Sequence, residues 1–134
     1  MPIENEIQHR FTAGVYVQGA LLFERPEDKV VNQTTGSSYT IDVRDGSMYD
    51  LTVDSDVTFS FDGASETSGG NLVTVILRQD ATGGRSINWP TDILWNAGSA
   101  PSLSTNAGDI SLITFVTPNG GTDWIGLFGG TGFA

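Results

Sequence analysis

Two runs in this sequence are apolar on both faces of an extended chain. In LVTVILRQ, Leu72 and Ile76 fall on one side while Val73, Val75 and Leu77 fall on the other; in ISLITFV, Ile110, Leu112 and Val116 oppose Ile113 and Phe115. Alternate residues of a strand share a face, so each run needs cover on both sides. One cover is the opposite sheet of a sandwich, and the other is open to a neighbouring subunit.

The remaining runs alternate more simply. Tyr39, Ile41 and Val43 share one face of YTIDV, and Val57, Phe59 and Phe61 alternate with Thr58 and Ser60. Only 16% of the chain is charged, and Gly, Ser, Thr and Asn separate the apolar runs, which is an all-β composition. Asp45-Gly46 predicts a tight hairpin into a strand at Met48–Val53, and Asp54-Ser55-Asp56 predicts a turn into VTFSF, giving a three-stranded meander. Residues 80–85 (DATGGR) and 118–123 (PNGGTD) read as hairpin loops, each followed by a strand carrying Trp89 or Trp124. The expectation is an antiparallel β-sandwich, jelly-roll-like, over residues 36–134, with an extended N-terminal arm at residues 1–35.

That arm carries Ile3, Ile7 and Phe11 at helical spacing, then Val15, Val17, Leu21 and Leu22 in a strand-like stretch. So few apolar residues cannot build a core, and an isolated turn or two of helix is marginal in water. The arm is expected to order on a partner and carry attachment.

Charge limits the partners. Sixteen acidic against six basic residues give a formal charge of -10, which disfavours nucleic acid and anionic membrane surfaces. No run of 18 apolar residues offers membrane insertion, and MPIENEIQHR is acidic and polar where a secretory signal is basic and then apolar. Without cysteine, neither disulfides nor thiolate metal sites are available.

Little in the chain points to catalysis. The lone histidine, His9, lies in the polar arm, far in sequence from any Ser or Asp that could complete a triad. Asp54, Asp56 and Asp62 cluster around one expected hairpin; acids there are commonly turn formers, and the spacing of an EF-hand calcium loop is absent. Gly69-Gly70 and Gly83-Gly84 lack the lysine of a phosphate loop. No catalytic residue, cofactor or metal is expected. Trp89 and Trp95 flank a short connection, where they either close the end of the sandwich or form a sugar-stacking platform; closure is the commoner use of such rings. Trp89, Trp95 and Trp124, with Phe59, Phe61 and Phe115, are therefore expected to be structural or interface residues.

The order of segments carries a resemblance. YTIDVRDGSMYDLTVDSDVTFSF, LRQDATGGRSINWP, ILWNAGSAPSLST and DISLITFVTPNGGTDWIGLFGGTGFA resemble a small β module recurring in structural proteins of tailed bacteriophages, often at the C-terminal end of tail fibres. The likeness covers residues 39–134, and its most specific part is Gln79 to Arg85 with Trp89-Pro90, joined to Gly-Gly-Thr-Asp-Trp at 120–124. One departure is Asn96-Ala97, where the resemblance leads one to expect Pro-Gly. The resemblance implies a virion location, no catalytic residues and symmetrical assembly, with a homotrimer expected. About 35 residues precede the module, spanning at most about 120 Å with no shaft repeat among them. The expected function is therefore a non-enzymatic head decoration or cement protein anchored by its arm on the major capsid protein. The alternative is a tail-fibre or receptor-binding tip protein among tail proteins, and the minor one a carbohydrate-binding or carbohydrate-active module contacting host-surface glycan.

Overall fold

The computed structural model describes residues 29–64 and 69–134. They form nine strands: β1 (Val30–Thr34), β2 (Ser38–Asp42), β3 (Met48–Val53), β4 (Val57–Asp62), β5 (Asn71–Gln79), β6 (Ile87–Asn88), β7 (Ile93–Trp95), β8 (Ile110–Thr117) and β9 (Trp124–Phe133). A large sheet has the order β1-β3-β5-β8-β9-β7, and a small sheet the order β2-β4-β6. The two face one core: Tyr49, Leu51, Val53, Val73, Val75, Leu77, Ile113 and Phe115 of the large sheet pack with Ile41, Val57 and Phe59 of the small one. The all-β reading holds. The residues of the N-terminal arm, Ile3 to Leu22, lie outside the described residues; β1 joins the large sheet ahead of the residue-36 boundary drawn from sequence.

The strand pairing differs from the antiparallel meander. Odd and even strands alternate between the sheets as far as β6, and each lies parallel to its predecessor in the same sheet: Val30 pairs with Met48 and Met48 with Thr74 in one, Ser38 with Thr58 and Val57 with Ile87 in the other. The chain thus winds as a two-sheeted coil. Only β5-β8-β9 is antiparallel, and the loop at 118–123 is the hairpin expected between β8 and β9. The turns from β1 through β7 are corners that carry the chain from one sheet to the other, while the segment between β7 and β8 starts and ends in the large sheet.

Local chemistry explains why the corners are not hairpins. A type I′ hairpin needs left-handed backbone at both central residues, yet neither Asp45 nor Gly46 has positive φ. Gly46 instead permits a close approach, because a Cβ there would sit 2.6 Å from the Lys29 carbonyl oxygen. At the same corner Asp42 accepts hydrogen bonds from the Arg44 backbone N–H at 2.9 Å and from its guanidinium at 2.7 Å. The buried Tyr49 hydroxyl donates to the Asp42 carbonyl, and burial pushes that phenol up to about 12.

Candidate functional site

Successive corners at one end of the coil are tied together by aspartates. Asp54 accepts from the Gly36 N–H at 3.0 Å, and Asp56 accepts from the Ser86 N–H at 2.8 Å, so each joins neighbouring turns of the coil. Asp62 lies at the opposite end, 3.6 Å from the Arg44 guanidinium. The three acids considered for calcium therefore face different partners. Among the described residues, no group of three or more His, Cys, Asp or Glu is placed to hold a metal.

The segment QDATGGR is a self-contained clasp. The buried Gln79 side chain donates to the Arg85 carbonyl at 2.9 Å and accepts from the Arg85 N–H at 3.0 Å, closing the loop at its neck. Asp80 accepts from the Gly83 N–H at 2.9 Å and pairs with the Arg85 guanidinium at 2.9 Å. Gly83 has φ +69°, and a Cβ there would lie 2.7 Å from the Thr105 carbonyl oxygen, so only glycine lets the clasp seat on residues 105–107. The Gly108 N–H, bonded to the Gln79 and Asp80 carbonyls, completes the seat. Sequence marked this segment as distinctive; its folding back on Gln79 is what the structure adds.

Beside the clasp, the six aromatic residues singled out from sequence come together. Trp89 stacks on Phe59 with centroids 4.8 Å apart, and Trp124 stacks on Phe61 at 4.6 Å. Phe115 meets Trp89 at 5.0 Å, Trp95 at 5.7 Å and Phe61 at 4.9 Å. Trp124 is 6% exposed, whereas Trp89 and Trp95 are half-buried. Trp95 pairs in register with Gly126, and its ring covers that glycine so closely that a Cβ would overlap it. Next to Trp95 a shallow groove of about 670 Å³ runs along Leu94, Ile125, Leu127 and Phe128.

The departure at Asn96-Ala97 has a conformational consequence. Ala97 has φ 58° and is the one non-glycine residue with positive φ among the described residues. Glycine, which the resemblance leads one to expect at this position, is the residue that tolerates this backbone.

The module is cysteine-free and two-sheeted, with clasped corners and a cluster of mutually packed aromatic rings. The sequence model of one family, described as "Putative phage tail fibre C-terminal domain", matches residues 34–123. The chain belongs to that family and is a structural protein of the bacteriophage virion. No match emerged among curated proteins or among solved structures.

Proposed function

We propose that this chain is a non-enzymatic component of the tail fibre, held among other tail proteins. The family match over residues 34–123 carries this reading. It also outweighs the argument for a head decoration protein. A missing shaft counts against a fibre only where one chain must build all of it, and a shaft supplied by another chain removes that requirement. Support for the non-enzymatic part comes from three of the described carboxylates: Asp42 and Asp80 pair with Arg44 and Arg85, and Asp56 accepts from a backbone N–H. Carboxylates committed to such bonds are poorly placed for proton transfer to a substrate.

Separating heads from tails of purified virions and counting copies by mass spectrometry tests the proposal. A handful of copies in the tail fraction, with none on fibre-free heads, is the expected result. Hundreds of copies on the heads would return the chain to a decoration role.

A further inference from the structure

The two sheets present opposite chemistry on their outward faces. On the small sheet, the outward positions are Ser38, Thr40 and Asp42 of β2, Thr58 and Ser60 of β4 and Asn88 of β6, all polar, as a solvated face requires. On the large sheet, Leu72, Val116, Ile125 and Leu94 stand in register across four strands and form a continuous apolar row. Leu72 is 58% exposed, Leu94 55% and Ile125 39%. Further along, Ile76 and Leu112 pair on the same face.

The outward face of the large sheet is also electrically neutral. Its outward strand positions carry two charges, Asp50 and Arg78, and these pair with each other at 2.6 Å. In a chain of formal charge -10, a neutral sheet face is where a second acidic copy can approach with the smallest Coulombic penalty. Its size fits as well. Six strands at roughly 4.8 Å each, with a height of about eight residues, give on the order of 29 by 26 Å. That is comparable with one side of a standard interface, about 800 Å² per partner.

We infer that the outer face of the large sheet, centred on Leu72, Val116, Ile125 and Leu94, is the surface through which copies of this chain associate. The inference goes beyond the tail-fibre reading and does not depend on it. Light scattering on the full chain across micromolar concentrations should return a multiple of the single-chain mass. A Leu72→Glu, Ile125→Glu variant should fall to the single-chain mass with its β circular dichroism unchanged. The absence of native cysteine allows a second readout: Leu72→Cys should react with a thiol reagent far more slowly than Thr58→Cys on the polar face. A monomeric full chain would overturn the inference. So would equal labelling of the two cysteines in an oligomer, or slow labelling of Leu72→Cys in a chain of single-chain mass, which would assign the face to residues 1–28.

Discussion

At Ala97 the backbone takes a conformation that costs an L-residue about 1–2 kcal/mol. Replacing it with glycine removes that strain while adding about 0.5–1 kcal/mol of unfolded-state entropy cost. Ala97→Gly should therefore raise stability by roughly 0.5–1 kcal/mol in urea denaturation. Gln79 should respond in the opposite direction. Its two bonds to the Arg85 backbone are made inside the fold, so Gln79→Ala removes both and strands buried polar groups, at a cost of about 2–3 kcal/mol. The rings divide by burial: Trp124→Ala should cost about 3–5 kcal/mol, and Trp89→Ala less, because part of its ring already meets water. Glycan binding lost in a Trp89→Ala variant with an unchanged melting temperature would instead make that ring a ligand platform.

At the scale of elements, the corners make the fold acid-sensitive. The Arg44 guanidinium and backbone N–H hold the Asp42 carboxyl down at about 2. Asp56 is lowered by the Ser86 N–H, and Asp80 by the Arg85 guanidinium and the Gly83 N–H. Folded values below the usual value near 4 mean that the folded state favours the ionised form. The associated stability is present at neutral pH and is lost as pH falls from about 4 through about 2. The melting temperature should be flat from pH 5 to 8 and decline below 4, and Asp42→Asn should weaken that decline. Several strands were legible from sequence: Met48–Val53, expected as the return strand of a hairpin, is β3 although that hairpin does not form, and the doubly apolar runs became β5 and β8 in the middle of the large sheet. Their partners were not. Alternation fixes which residues share a face but not which strand lies alongside, and Asp-Gly suits a close-approach corner as well as a hairpin. The aromatic residues could be named because large apolar rings need cover, whereas the Gln79 clasp depends on where a side chain folds back.

Across the whole molecule, the two-sheeted coil sets one polar face opposite one neutral apolar face, and the proposed self-association would use the second. Self-association also stabilises by mass action, so the melting temperature should rise with protein concentration, and this rise should disappear in the Leu72→Glu, Ile125→Glu variant. Membership of the tail-fibre family adds where such a part would serve. Gold-labelled antibodies raised against residues 36–134 and applied to intact virions, viewed by electron microscopy, test that placement most directly. Gold confined to the tail fibres is the predicted result, and gold distributed over the heads with bare fibres would contradict it.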